Sequence, residues 1–147
     1  MRCFAAILQV QLSRIGELLD RRRAVAARYA ELLACEELVT VPHLPPDRTH
    51  AWQTYMLTLD PSVDRASVAA DLRAQGIGCG HGTWASHLQP VYDAKQSCPV
   101  SADLFRRHLA IPMHAELRVN QVERVAAALR TALRAHARPQ RTREWAI

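Results

Sequence analysis

From Ala5 to about Cys35, apolar residues recur every three or four positions: Ile7, Val10, Ile15, Leu18, Leu19, Val25, Ala26, Tyr29, Leu32 and Leu33. Arg14, Glu17, Asp20, Arg21, Arg22, Arg28 and Glu31 fall between them as a solvated face. This spacing predicts one long amphipathic helix, bent near Gly16. At 1.5 Å per residue, about 30 residues reach roughly 45 Å, against the ~30 Å diameter of a small domain. One end is therefore expected to pack against something outside the chain.

The prolines of the segment Pro42 to Arg48 end that pattern. His50 to Leu59 then alternates as a strand, with Trp52, Thr54, Met56 and Thr58 on one face and Tyr55, Leu57 and Leu59 on the other. Asp64 is placed to cap a helix through Gln75 that buries Val68, Ala69 and Leu72, and Gly76 is placed to end it. Ile77 is expected to open a second short strand. Ser101 is expected to cap a helix to about His108, with a strand from Leu109 to Met113 after it. A last helix runs from about Asn120 to His136 and buries Val122, Val125, Ala126, Leu129 and Leu133. The fold class is α+β: a short three-stranded sheet covered by helices, the long N-terminal helix supplying much of the core. Residues 1–136 form the domain, and the basic stretch 137–147, with Arg138, Arg141, Arg143 and Trp145, is expected to be a disordered tail.

Composition changes this picture little. The chain has 147 residues, 49% hydrophobic and 22% charged, ordinary for one soluble domain. No apolar run approaches the ~20 residues of a membrane span, and the start carries no signal-peptide pattern, so a cytoplasmic location is expected. Four cysteines, Cys3, Cys35, Cys79 and Cys98, form no CxxC pair and read as free thiols. The net charge of +5 comes from 19 basic residues, of which only Lys95 is a lysine. Any reaction that needs a lysine must use Lys95 or go without.

Few segments offer chemistry. The stretch Gly76 to Gly82 lets a backbone approach a phosphate closely. It is neither a GxGxxG that opens a helix nor a P-loop, and a flexible loop fits it better. His81, Thr83, Trp84, Ser86, His87 and Gln89 follow on one segment. An aromatic ring among hydrogen-bonding side chains suits a sugar or nucleotide, although solvation alone also makes a loop polar. Cys79, His81, His87 and Cys98 lack the paired spacing of a zinc site. No GxSxG elbow or cysteine-protease signature occurs, and His108 and His114 read as structural. Arg21, Arg22 and Arg23 fan round a helix rather than forming one phosphate clamp. The basic tail could touch nucleic acid, but the 5% aromatic content and absent motifs argue against it.

Several segments together resemble one family. Ala5 to Leu12, with Arg21 to Tyr29, is similar to the "AAIGLVQL … ERRRAIAARY" helix of the DegT/DnrJ-type nucleotide-sugar aminotransferases. His50 to Met56 resembles its "HAWHLYV" strand, and Leu72 to Gly78 its "LRERGIG" turn. His87 to Tyr92 resembles "HLQPxY", Cys98 to Ser101 "CPVSE", and Ile111 to His114 "LPMH". The matches are collinear from Ala5 to about Arg134. Two segments depart. Met1-Arg2-Cys3-Phe4 stands where the family has an "SEIQ"-like segment, and Gly82 to Ser86 resembles a subgroup with a "GTHALH"-like loop.

The resemblance implies the C-terminal small domain of a pyridoxal-phosphate enzyme of the aspartate aminotransferase fold. Such an enzyme moves an amino group, usually from glutamate, to a keto-sugar carried on a nucleotide. Substrate contacts carry over to Thr83, His87 and Gln89, with His81 and Trp84 beside them. No catalytic, cofactor-binding or metal-binding residue carries over, because the Schiff-base lysine, phosphate loop and acidic partner of the pyridine belong to the large domain. Lys95 sits in a polar loop, where its pKa should stay near the solution value of about 10.4, unlike an activated Schiff-base lysine. The reading is a partial or truncated aminotransferase whose loop Gly80 to Pro90 helps close the substrate cleft, without pyridoxal phosphate bound by this chain alone. The alternative is a stand-alone, non-catalytic domain that binds a full-length aminotransferase or a nucleotide-sugar. A third, an unrelated basic interaction domain, is disfavoured by the collinear motifs.

Overall fold

A computed structural model describes residues 2–92 and 97–138, and the side chains from residue 5 onward. Among the described residues there are five α-helices and one three-stranded antiparallel sheet. The predicted long helix is two: α1, Arg2–Ser13, and α2, Ile15–Leu33. The break falls at Arg14, whose backbone (φ −100°, ψ 1°) leaves the helical range, rather than at Gly16. Just before it, the Ser13 hydroxyl donates back to the Val10 carbonyl at 2.8 Å, a local bond that competes with the helical ladder.

The sheet runs in the order β1 (Val39–Thr40), β2 (Tyr55–Leu59), β3 (His108–Ile111). Val39 pairs with Leu59, and Tyr55 with Ile111. The alternation in β2 is as expected: Tyr55, Leu57 and Leu59 are buried, while Met56 and Thr58 are half-buried. The strand is shorter than the segment His50 to Leu59, and Trp52 breaks the alternation. Its φ of 49° turns the indole inward to stack on Tyr55 at 5.6 Å between ring centroids. The buried face of the sheet packs with α2, α3 (Arg65–Ala74) and α5 (Val119–His136) into one core. Within it Tyr29 donates to the Pro112 carbonyl at 3.0 Å.

Helix α3 begins as its sequence indicates. The Asp64 carboxylate accepts from the Ala66 amide at 3.1 Å and from the Ser67 hydroxyl at 2.6 Å. It ends in a Schellman motif: Gly76 (φ 73°) donates to Arg73 at 2.9 Å and Ile77 to Leu72 at 2.9 Å. Ile77 is therefore not the start of a strand. Its side chain is buried with Leu72 because the motif places a hydrophobic contact there. The missing strand is supplied instead by Val39–Thr40. Residue Gly80 makes only an isolated bridge to Ala110, through bonds of 3.1 and 2.8 Å.

Helix α4, Pro99–Arg107, starts ahead of Ser101, with proline in its first turn and no side-chain cap at Cys98. His108 already belongs to β3. The C-terminal end of α5 is tied to α3 by the contact of His136 Nε2 with Asp71 Oδ2 at 2.8 Å. Ala137 and Arg138, counted with the tail by sequence, pair with Val63 and Ser62. The remainder of that tail, and Lys95, lie outside the described residues. No described helix is long and apolar enough to cross a membrane.

Candidate functional site

The loop after α3 crosses the exposed face of the sheet. Gly82 is the point of closest approach: at φ 74°, an added Cβ would lie 2.2 Å from Met56 Sδ and 3.4 Å from Ala110 Cβ. Glycine alone both adopts that backbone and leaves that space. The Gly80–Ala110 bridge anchors the loop two residues earlier.

Held this way, His81 and Trp84 stack with ring centroids 5.2 Å apart and planes at 22°. Phe105 of α4 completes the group, 5.3 Å from His81 and 5.7 Å from Trp84. The Arg65 guanidinium of α3 meets His81 Nδ1 and lies 5.9 Å from the centre of the Phe105 ring. Trp84 remains 66% exposed, so the stack offers an open aromatic face. Beyond it, Ser86–Leu88 forms a single 3₁₀ turn that carries His87. Gln89 is partly used, its amide donating to the Ala85 carbonyl at 3.4 Å. Thr83 and His87 are half-buried. No hydrogen bond among the described residues joins Thr83, His87 or Gln89 to the aromatic stack.

Arg65 and Phe105 were not among the residues singled out by sequence. Phe105 is one of only two phenylalanines in the chain, the one signal available. Their approach to His81 spans 16 and 24 residues, which local patterning does not report. Among the described residues no group of three or more His, Cys, Asp or Glu side chains gathers as metal ligands would. Cys35, Cys79 and Cys98 are free thiols.

Two histidines are held below their ordinary pKa. Burial lowers His81 first, and the charges of Arg65 and Arg73 add to it. Burial likewise lowers His108, with Arg107 adding and Asp103 opposing. An imidazole whose folded pKa lies below its unfolded value, about 6.5, binds more protons when unfolded. Its contribution is present above that value and is lost as pH falls through the folded pKa. The urea midpoint should therefore drop between pH 7.5 and pH 5. The double variant His81→Gln, His108→Gln should flatten that dependence; a midpoint that rises on acidification would contradict it.

Residues 1–130 match the DegT/DnrJ/EryC1/StrS aminotransferase family model, and the chain belongs to that family. It is similar to a dTDP-4-dehydro-2,3,6-trideoxy-D-glucose 4-aminotransferase of Saccharopolyspora spinosa, 31% identical over 133 residues. That match covers 90% of this chain and 34% of the relative, so the chain spans about a third of its relative's length. The aminotransferase TlmJ of Streptoalloteichus hindustanus superposes with a TM-score of 0.81 at 30% identity, over 86% of this chain and 35% of that one. DesV of S. venezuelae, solved with a ketimine intermediate, gives 0.78 at 27% identity, again over 86% of this chain and 35% of that one.

The family depends on pyridoxal phosphate. Among the described residues there is no lysine that could form a Schiff base; the single lysine of the chain, Lys95, lies outside them.

Proposed function

We propose that this chain is the C-terminal small domain of a nucleotide-sugar aminotransferase and helps shape the cleft that receives the keto-sugar. The observation that carries the reading is the extent of the match: nearly the whole chain corresponds to about a third of a sugar aminotransferase. The loop Gly80 to Pro90 is the part that meets substrate. The open face of Trp84 suits an apolar sugar or base surface, and Thr83, His87 and Gln89 supply hydrogen bonds. The Schiff-base lysine, the phosphate loop and the acidic partner of the pyridine come from a segment other than the one described.

The test is the intact mass of the native protein in a lysate of its source, paired with a glutamate-dependent assay on dTDP-4-keto-sugars. A species well above 16.5 kDa that transaminates supports the reading. A species at 16.5 kDa that does not transaminate overturns it.

A second reading has its own observation. Helix α1 leaves Ile7, Leu8, Val10 and Leu12 exposed, each by 57–68%. Large apolar side chains exposed together on one helix mark an interface. On this reading the chain is a stand-alone, non-catalytic protein, and α1 docks on a full-length aminotransferase. A 16.5 kDa species that co-purifies with an aminotransferase favours it.

A further inference from the structure

A cleft of about 420 Å³ lies between the first turn of α3 and the second half of α4. Its charged lining is Asp64, Arg65, Asp103, Arg106, Arg107 and Arg138, four cations against two carboxylates. The two carboxylates are already occupied. Asp103 is held by Arg107 through bonds of 2.9 and 2.6 Å, and Arg107 also donates to the Leu59 carbonyl at 3.1 Å. Asp64 spends its oxygens on the Ala66 amide and the Ser67 hydroxyl. Among the described residues, neither Arg106 nor Arg138 has a side-chain hydrogen bond or ion pair. Arg65 faces His81, which burial first, and then the charges of Arg65 and Arg73, keep toward the neutral form. Burial and the charge of Arg73 press the Arg65 guanidinium below its usual pKa. The cleft thus gathers three cations with no described carboxylate at contact distance, Asp64 acting on Arg65 and Arg138 and Asp103 on Arg106 only at longer range, around a space large enough for a small anion.

We propose that this cleft is a binding site for a phosphate-type anion, with Arg106 and Arg138 as the paired donors and Arg65 as its inner wall. Guanidinium groups donate in forks that match tetrahedral oxyanions, and converging cations suit a multiply charged phosphate better than a single carboxylate. The site differs from the contacts proposed for the sugar. It stands on α3, α4 and Arg138, and adjoins the loop Gly80 to Pro90 only through Arg65. Its existence does not depend on which polypeptide supplies the lysine.

Inorganic pyrophosphate and a nucleoside diphosphate are titrated separately into the full chain by calorimetry at low ionic strength. One saturable site is expected, weakening as salt is raised. Arg106→Glu should weaken pyrophosphate binding at least about tenfold. Arg48→Glu makes the same charge change on the exposed proline-rich segment and should alter it less than about twofold. Both residues are exposed, and a thermal melt of each variant verifies that the fold survives. Equal affinity for the two probes would identify a site for free phosphates. Much tighter binding of the nucleoside diphosphate would identify a nucleotide's phosphates as the source. Absence of saturable binding would overturn the proposal. So would equal losses in the two variants, because that is the signature of diffuse basic charge. If the native species proves to be 16.5 kDa and does not transaminate, while the chain still binds pyrophosphate here, this inference stands and only the aminotransferase reading falls.

Discussion

Replacing Leu129 with alanine is expected to destabilise the domain by about 2–5 kcal/mol, the range for truncating a fully buried leucine. Leu129 is 0% exposed and sits mid-way along α5. That helix packs on both α2 and α3, so the cavity opens among three packed helices and has little freedom to collapse. A domain of this size is stable by only about 5–15 kcal/mol, which makes the loss a large fraction of the total. At roughly 2–4 °C per kcal/mol, the melting temperature should fall by about 4–20 °C. The comparison that gives the number meaning is Leu8→Ala. The same truncation on α1, where the side chain is 68% exposed, should stay within about 0.5 kcal/mol. Equal losses at the two positions would mean that α1 is part of the core, contrary to the packing described. Denaturant midpoints with unchanged slopes are the readout.

The contrast between those leucines also shows what the sequence could and could not reveal. The stripe of α5 was readable because helical periodicity and burial coincide: Val122, Val125, Ala126, Leu129 and Leu133 are all buried. In the first 35 residues the period was equally clear, but periodicity reports the conformation of a segment, not the partner that covers it. Val25, Ala26, Tyr29 and Leu33 meet the core, whereas Ile7, Val10 and Ile15 lie on an uncovered stretch. The sheet was harder. Val39–Thr40 is too short to alternate, and its strand character comes from Leu59 and Thr58 across the ladder. Ile77 carried a strand-like signal because a buried β-branched residue after glycine looks the same whether it opens a strand or closes a Schellman motif. At the candidate site, His81 and Trp84 were visible as an unusual concentration on one loop. Arg65 and Phe105 were not, since their places depend on how α3 and α4 dock on the sheet. Trp52 likewise left its expected face through a single positive φ, which no alternation rule anticipates.

Gly82→Val is the second large effect expected, and it tests how the loop is held over the sheet. Two costs act together. A β-branched residue at φ 74° is strained by about 1–3 kcal/mol. Its Cβ would also overlap Met56 Sδ and Cε, the far end of a flexible side chain that can turn away, so this second cost is no more than about 1 kcal/mol. Only the second cost involves Met56. Removing the thioether by Met56→Ala should therefore relieve part of the Gly82→Val penalty and leave the conformational part in place. The double-mutant cycle should show a coupling beyond the ~0.5 kcal/mol within which independent sites add. An additive cycle would mean that the loop escapes by lifting off the sheet instead of pressing on Met56. That second outcome has its own signature, because lifting would break the Gly80–Ala110 bridge and part His81 from Phe105. Tryptophan fluorescence of Trp84 in a Trp52→Phe, Trp145→Phe background reports on that stack. It should stay unchanged in Gly82→Val if the side chains yield, and shift if the loop does. If the side chains yield, the loop keeps its place over the sheet; if the loop lifts, any substrate contact made by Thr83, His87 or Gln89 moves with it.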